Sequence, residues 1–456
     1  MPGTTIGATR RLSFILATLV LLLPALWNRF PILEYDTGGY LARWFEGYLV
    51  PSRSTTYGMF LLAGWPLDFW PVVVAQAAAA VWIIALVLRL YRFDSRPYAL
   101  PAIVAALALT TALPWLASEL LTDIFAGLAV LAFDALVRHG DRIAPRERLA
   151  LTVFIAFAVS THSGTFAVVL GLGLLAFAAS LVAAKFVPRR GVARGASALL
   201  LGATMLIGTN YAISGSFAWT PGGYGLAFAR MLQDGIVTRY LDDHCPDAHL
   251  RLCPYRHDLP LNADDFLWND GVFDKLGRFA GLDPEMRSIV LGSLRDYPAM
   301  QIETAIDDTV HQLFAVGTGY GVLTTIWHTY GIIERYTPSV VPAMRAARQQ
   351  HGEIGFAAVN AVDVPVAWTA TALLPALAIY GLWNAEFAEL GALAATLTLA
   401  LLGNAAFCAV ISHYQDRYGA RLVWIAVFAI ALAAWRAIAL ARERTPALSR
   451  ESVSTV

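Results

Sequence analysis

The sequence contains few charged residues. Asp, Glu, Lys and Arg make up 14% of its 456 residues, whereas soluble proteins normally carry about 25%. Hydrophobic residues make up 57%, and the mean hydropathy is +0.57. These values exclude an ordinary soluble protein, because too few charged side chains are present to cover a water-facing surface. We therefore predict that most of the chain faces lipid.

The sequence also lacks an excess of either charge, and it is poor in cysteine. The 33 basic and 33 acidic residues give a formal net charge of zero, which predicts no nucleic-acid partner. Three cysteines are too few for a disulfide-framed domain. Cys245 and Cys253 lie close together in a polar stretch and are predicted to form a disulfide bond if that stretch is extracytoplasmic. The alternative is two unpaired, buried thiols.

Ten apolar segments are long enough to cross a bilayer. A hydrocarbon core of about 30 Å requires roughly 20 residues in a helix, because unpaired backbone groups are costly in lipid. The first segment follows Arg10 and Arg11 as a signal peptide would, but no small-x-small cleavage site follows it, so a retained helix is predicted. We therefore predict an all-α polytopic membrane protein with about ten transmembrane helices. The segments are residues 11–28, 71–91, 99–117, 121–138, 148–163, 165–184, 196–214, 364–382, 389–411 and 421–440.

Basic residues are concentrated on one predicted side of the membrane. Because basic loops are retained in the cytoplasm, we predict an inner (plasma) membrane protein with both termini cytoplasmic. The short outer segments contain Arg29, Arg43, Arg53 and Arg417. The inner segments contain Arg10, Arg11, Arg89, Arg92, Arg96, Arg138, Arg142, Arg146, Arg148, Lys185, Arg189, Arg190, Arg194, Arg436, Arg442, Arg444 and Arg450.

One long polar stretch interrupts the apolar segments. It lies between the seventh and eighth predicted spans, and the topology places it outside. Turn residues and amphipathic pieces within it predict short helices and loops. The predicted organisation is therefore seven transmembrane helices with outer acidic loops in 1–214, an extracytoplasmic segment in 215–363, and three transmembrane helices with a cytoplasmic tail in 364–456.

Carboxylates collect in loops that are predicted at the outer membrane surface. Glu34 and Asp36 follow the first span, and an extended loop would direct both to one side. Glu119 and Asp123 lie at the start of the fourth span, where a spacing of four predicts one helix face. A capping role remains an alternative for Glu119. Asp123 is costly in an apolar span and is typical of a polar interior.

Basic and aromatic residues are predicted on the same side as these acids. Guanidinium groups match the geometry of a phosphate, and a carboxylate within hydrogen-bond reach can accept a proton from an attacking hydroxyl or amine. Alternatively, His162 is a satisfied interfacial histidine and residues 413–421 form an interfacial anchor. The candidate residues in these loops are Tyr40, Arg53, His162, His413, Arg417 and Arg421.

The outer segment contains no G-x-S-x-G, H-E-x-x-H or P-loop motif. Residues 242–258 are rich in metal-ligating types but lack a zinc spacing, which favours a disulfide-closed polar loop. Residues 327–336 are aromatic and charged, and they predict either an acceptor-binding surface or an amphipathic helix resting on the membrane.

The first half of the sequence has the order of motifs found in one enzyme class. Glu34 and Asp36 follow the first span, Arg53 and Tyr57 precede the next apolar run, and a second acidic site covers 119–123. Over roughly the first 215 residues this order resembles the GT-C class of polytopic glycosyltransferases, which includes protein O-mannosyltransferases and lipid A aminoarabinose transferases. The resemblance implies a polyprenyl-phosphate sugar donor and gives Asp36 the role of catalytic base or acceptor-binding residue. Two departures are the mid-chain position of the outer segment and the lack of an established metal site, so a divalent cation stays an open expectation.

The predicted function is a membrane glycosyltransferase that acts on the outer face of the inner membrane. Its predicted catalytic residues are Asp36, Glu34, Glu119 and Asp123, and the donor phosphate is assigned to Arg53, His413, Arg417 and Arg421. The alternatives are a transporter or flippase of a lipid-linked saccharide and a non-catalytic envelope-assembly subunit. Transporters usually carry internal repeats and polar groups near the bilayer centre, whereas the ionisable residues here collect at one surface, with Asp134 as the clearest exception.

Overall fold

A computed structural model describes residues 2–49, 51–184 and 186–444. The predicted inner residues Lys185 and Arg450, with the rest of the tail from 445 onward, lie outside these ranges. Within them the chain is all-helical, and its only β-type pairing is a parallel bridge between Ile32 and Glu119. The predicted all-α class is therefore confirmed.

The first 214 residues form helices that are numbered in chain order. Pro24, Pro114 and Pro145 lie in the first turns of three of them, where the missing backbone N–H removes no intrahelical bond. The local sequence therefore sets where these helices begin. The helices are α1 (Pro2–Leu21), α2 (Leu23–Asn28), α3 (Thr37–Glu46), α4 (Thr55–Gly64), α5 (Trp70–Leu90), α6 (Ala99–Thr110), α7 (Leu113–Ser118), α8 (Ile124–His139), α9 (Pro145–Thr161), α10 (Ser163–Val182) and α11 (Arg189–Ser214).

The middle of the chain forms mostly shorter helices, and three long helices follow. The last three are α20 (Ala357–Trp383), α21 (Ala388–Ile411) and α22 (Asp416–Arg444). Helix α20 begins before residue 364, where the corresponding span was predicted to start. The middle helices are α12 (Gly223–Gln233), α13 (Ile236–His244), α14 (Ala263–Trp268), α15 (Val272–Lys275), α16 (Arg278–Asp296), α17 (Pro298–Phe314), α18 (Trp327–Tyr336) and α19 (Val341–Arg345).

Six helices in the described part of the chain are long and apolar enough to cross a membrane, which indicates a membrane protein. They correspond to predicted spans 71–91, 165–184, 196–214, 364–382, 389–411 and 421–440. The other four predicted spans are also helical. Residues 11–28 are divided between α1 and α2, residues 99–117 between α6 and α7, and the remaining two correspond to α8 and α9, which have 16 and 17 residues.

The break between α6 and α7 has a local cause. The backbone of Thr111 is extended, and its hydroxyl donates to Leu107 O (2.6 Å) and accepts from the N–H of Leu113 (3.3 Å). Pro114 then starts the next helix. A threonine that bonds to its own backbone neighbours competes with the helical ladder, so the apolar run does not form one continuous helix.

Helix α8 is the central element of the bundle. Except for Arg138, all of its residues are buried, and it contacts α5, α9, α10, α11, α21 and α22. At Gly127, an added Cβ atom would lie 2.6 Å from Nε1 of the fully buried Trp424. This close approach brings α22 against α8, and it thereby places Arg417 and Arg421 beside Asp123 at the start of α8.

Ion pairs connect the loops at each end of the bundle. At one end, Arg417 joins the loops that follow α2 and α7. The pairs at the opposite end of α8 and its neighbours are Arg89 with Glu147, Arg142 with Glu389, Arg194 with Asp141, and Arg436 with Glu386. Loops that were predicted to share one side of the membrane therefore do contact one another.

Residues 215–363 contain a second hydrophobic core of their own. Phe228, Phe266, Phe273 and Met286 are buried in it and come from four different helices. A disulfide bond joins Cys245 and Cys253 at its edge, whereas Cys408 is a buried free thiol. Helix α17 packs on α21 and on α16, which attaches this core to the bundle, whereas α18 packs on α3 as part of the bundle's own core.

Candidate functional site

The two acidic loops are joined through their backbones. The N–H of Ile32 donates to Ser118 O (2.9 Å), and the N–H of Leu120 donates to Ile32 O (2.9 Å). These bonds place the loop of Glu34 directly beside the loop of Glu119. The predicted convergence of the first and second outer loops therefore rests on a definite pairing of main-chain groups.

Glu34 and Asp36 lie in a tight turn rather than in the predicted extended loop. The N–H of Thr37 donates to Glu34 O (3.1 Å), and the N–H of Glu34 donates to the Thr37 hydroxyl (3.0 Å). The N–H of Asp36 donates to Glu34 Oε2 (2.5 Å). The prediction of extended backbone was wrong because Thr37 supplies side-chain hydrogen bonds that close the turn. Both carboxylates still point toward Arg417.

Glu119 and Asp123 do not share a helix face, so that prediction was also wrong. Residues 119–123 are non-helical, and α8 begins only at Ile124. The amide of Gln76 donates to the carbonyls of Ala117 (3.3 Å) and Glu119 (2.8 Å), which holds the backbone outside a helix. Both carboxylates nevertheless line the same crevice.

Arg417 is surrounded by three carboxyl groups. Its Nη1 donates to Asp36 Oδ2 (2.6 Å) and Glu34 Oε1 (3.2 Å), and its Nε donates to Asp123 Oδ2 (2.6 Å). Because Arg417 is in the first turn of α22, one guanidinium joins the loops after α2 and α7 to a third part of the chain. This group is the geometric centre of the site.

Arg421 lies one turn further along α22 and is fully buried. Its Nη2 donates to Asn404 Oδ1 (2.7 Å), and its Nη1 lies 3.7 Å from Asp123 Oδ1. The same Nη1 lies 3.4 Å from Nδ1 of His162. Arg421 therefore holds Asp123 and the start of α10 in place, with its donors already engaged.

Arg53 is the most accessible guanidinium in the cluster. It forms an ion pair with Asp36, and its side chain is 16% exposed, against 9% for Arg417 and 0% for Arg421. Tyr40 lies beside Arg53, with its ring centre 5.9 Å from the guanidinium carbon and its hydroxyl 3.3 Å from the Thr122 hydroxyl. Asp36 is thus held between Arg53 on the open side and Arg417 on the buried side.

Two predicted histidines have different surroundings. His162 caps α10 by accepting from the N–H of Gly164 (3.1 Å), which matches its alternative interpretation as a satisfied interfacial residue. His413 instead lies 3.3 Å from Asp264 of α14 and contacts Gln415. Among the predicted site residues, His413 therefore differs from the others. Its described contacts place it against the middle helices and not against the carboxyl groups around Arg417.

Helix α18, formed by residues 327–336, packs on α3 and holds the acidic turn. The Thr329 hydroxyl accepts from the N–H of Gly38 (3.1 Å) and donates to Tyr35 O (3.0 Å). A Cβ atom at Gly38 would lie 2.7 Å from the Thr329 Cα, so only glycine permits this approach. The helix thereby supports the site from the side of the middle segment.

The glycine-rich loop at 317–321 also contacts the acidic turn, and it was not predicted from the sequence. The carbonyl of Gly321 accepts from the N–H of Tyr35 (3.1 Å). Gly321 has φ +82°, and an added Cβ atom would lie 2.0 Å from Glu34 Oε1. Three glycines in five residues were the available signal, because such spacing is typical of backbone that approaches another group closely.

A small crevice opens beside Asp123 and Arg417. Its cavity volume is about 10 Å³, and Tyr320 lies among its lining residues. A cavity of about 10–15 Å³ holds one water molecule. The crevice therefore has room for about one water-sized group. It is lined by Ala112, Trp115, Leu116, Glu119, Asp123, Gly317, Thr318, Gly319, Tyr320, Arg417 and Ala420.

The carboxyl groups of this site differ in charge because their surroundings differ. Burial raises the pKa of Glu34 to about 8, and burial raises the pKa of Glu119 well above its usual value. Burial acts in the same direction on Asp36, but the guanidinium groups of Arg53 and Arg417 outweigh it and lower the pKa of Asp36. At neutral pH Asp36 is therefore ionised, whereas Glu34 holds its proton and burial favours the neutral form of Glu119.

In the described part of the chain, the carboxyl groups of the cluster face an arginine. Among the described residues, no group of three or more His, Cys, Asp and Glu side chains is placed to hold a metal ion. Glu34, Asp36 and Asp123 instead converge on Arg417, which supplies the positive charge at their centre.

Protonation of Glu34 gives the protein a testable pH dependence. Because the pKa of this carboxyl rises from 4.5 to about 8 on folding, the folded state holds a proton that the unfolded state releases. The free energy of unfolding should therefore decrease as the pH rises from about 4.5 to about 8. Glu34→Gln should flatten this slope, which unfolding measurements at pH 5, 6.5 and 8 can detect. Equal slopes for the variant and the parent protein would contradict the assignment.

Comparison with known proteins gives no relative from which a function could be transferred. No family model, no curated protein and no solved structure matches the chain. The functional conclusion therefore depends on the chemistry of the cluster around Arg417.

Proposed function

We propose that the protein is a membrane glycosyltransferase that moves a sugar from a polyprenyl-phosphate donor to an acceptor. In this proposal the chain crosses the inner membrane about ten times, with both termini in the cytoplasm and the site on the outer face. The observation that carries the proposal is the position of Asp36, an ionised carboxylate held between Arg53 and Arg417 at one end of an apolar bundle. A base beside phosphate-binding groups is what this transfer requires.

The reaction is an inverting displacement. An acceptor oxygen or nitrogen forms a bond to the anomeric carbon while the bond from that carbon to the phosphate oxygen breaks. The electron pair leaves with the lipid phosphate, and the proton of the acceptor passes to Asp36. The growing negative charge on the phosphate is stabilised by a guanidinium group that is already in place, so little reorganisation is needed during the reaction.

Arg53 is the main phosphate partner in this proposal. It is the most accessible of the three arginines, whereas Arg421 is fully buried with its donors engaged. His413 has no assigned contact with the donor, because it lies against Asp264. Arg417 is the second contact, on the buried side of Asp36. The donor phosphate thus approaches from the side of Arg53.

Donor binding also strengthens Asp36 as a base. Its two guanidinium partners lower the pKa of Asp36, and a carboxylate stabilised in this way accepts a proton poorly. Phosphate oxygens that bind Arg53 in place of Asp36 remove one of these partners. The basicity of Asp36 then rises when the donor is present, which couples proton transfer to a filled donor site.

Release of lipid phosphate is the experiment that tests this function. Purified protein in detergent is incubated with labelled polyprenyl-phosphate sugars and a panel of hydroxyl and amine acceptors. We expect polyprenyl phosphate to be released at a rate that depends on the acceptor. Movement of the intact donor across a liposome membrane without release would instead identify a transporter or flippase. A non-catalytic assembly subunit would do neither.

A further inference from the structure

We propose that α17 lies at the membrane surface and that one of its faces contacts lipid acyl chains. The contact face, called the α17 stripe, consists of Ile302, Ile306, Val310 and Phe314. This inference concerns a helix within 215–363, the segment that was predicted to be extracytoplasmic, and it does not depend on the proposed enzymatic function.

The α17 stripe is one of three distinct faces of the helix. Its residues are spaced by four, so they form one line along the helix surface. They are exposed by 62%, 62%, 47% and 59% in chain order. Beside them lies an exposed polar line formed by Glu303, Asp307 and His311, and the third face is the buried set Gln301, Asp308 and Gln312.

The orientation of α17 is fixed by contacts on the buried face. Asp308 lies 3.6 Å from Nε of the buried Arg230. The amide of Gln312 donates to Gln415 O (2.9 Å), and the N–H of Gln415 donates back to Gln312 Oε1 (2.9 Å). Since Gln312 forms hydrogen bonds and Asp308 forms an ion pair on this face, rotation of the helix to bury the α17 stripe would break these contacts.

The α17 stripe continues onto the surface of a candidate membrane span. Helix α17 packs along α21, and the carbonyl of Phe314 accepts from Nε1 of Trp368 (3.1 Å). Trp368 belongs to α20, and its ring lies 6.2 Å from the Phe314 ring. Further along α20, Leu373 and Ile379 are also exposed. Tryptophan is typical of the membrane interface. The junction of α17 with α20 therefore marks the level of that interface along α20.

Contact with lipid accounts for the exposed apolar line and the exposed polar line of α17 together. An exposed apolar line in water is unfavourable and marks a membrane or protein contact. An interfacial helix presents apolar residues to the acyl chains and polar residues to water, and α17 has these two lines side by side. Its end leads into residues 315–321, which approach Glu34 and line the crevice. The bilayer surface would thereby set the position of that loop.

Spin labels on neighbouring residues can test this placement. Ile306→Cys and Asp307→Cys are each labelled with a nitroxide in protein reconstituted into nanodiscs of phosphatidylcholine and phosphatidylglycerol. Both positions are exposed, and the native cysteines are either bonded to each other or buried. The ratio of collisions with oxygen to collisions with a water-soluble nickel chelate should be several-fold higher at 306 than at 307.

Two results would overturn the proposal. Free access of the nickel chelate to both labels would place the α17 stripe in water. Exclusion of both oxygen and the nickel chelate at 306, with dipolar broadening between labels, would show that a second copy of the chain covers the α17 stripe. Ile302→Cys, one turn earlier on the same stripe, should give the same result as Ile306→Cys. It replaces Ile306→Cys in the experiment if Ile306→Cys does not fold.

Discussion

Asp36→Asn is expected to abolish sugar transfer while leaving the protein folded. The amide has nearly the same shape as the carboxylate, but it cannot accept the proton of the acceptor. Loss of a positioned base typically lowers the rate about 10²–10⁴-fold. Arg417 retains Glu34 and Asp123 as partners, so the cluster keeps most of its contacts. The measurement is acceptor-dependent release of polyprenyl phosphate by protein that still shows a cooperative unfolding transition.

Asp141→Asn is the matched control for this variant. Asp141 also pairs with an arginine, Arg194, but it is exposed and lies at the opposite end of the bundle. The same chemical change there should leave transfer unaffected, because surface ion pairs contribute little to stability and this pair is far from the loops that bear the site. If Asp36→Asn retained full activity, Asp36 would have no place in the mechanism.

The sequence predicted the helical architecture because its signals are local. Six of the ten predicted apolar segments coincide with described helices that are long and apolar enough to cross a membrane, and prolines mark several helix starts. The division of 99–117 at Thr111 was missed because hydropathy averages over a window. A single threonine that bonds to its own backbone does not change that average, yet it ends α6.

The sequence predicted which residues meet at the site better than it predicted how they interact. Topology alone placed Asp36, Asp123 and Arg417 on one side of the membrane. It could not indicate that Arg417 would be enclosed by carboxylates, because the pairing of Ile32 with Leu120 and the approach of Trp424 to Gly127 are long-range contacts. The assignment of Arg417 to the donor phosphate alone therefore omitted its contacts with the acids.

Arg417→Ala is expected to cause the largest loss of stability among single changes in the cluster. It removes the shared partner of Glu34, Asp36 and Asp123, all of which are buried. Removal of one member of a buried charged group costs about 3–5 kcal/mol, since the remaining charge is left without compensation. Protonated Glu34 tolerates the change, so the loss comes mainly from the two aspartates. A lower unfolding temperature in detergent is the measurement.

Two further variants separate the possible reasons for such a loss. Arg142→Ala removes an exposed arginine that pairs with Glu389, and the cost there should stay within about 0–1 kcal/mol. Arg417→Lys keeps the positive charge but loses the planar fork that reaches Asp36 and Asp123 together. It should therefore recover only part of the stability. If Arg417→Ala unfolded at the same temperature as the parent protein, the three carboxylates would not depend on Arg417, and the arrangement on which the proposed reaction rests would have to be abandoned.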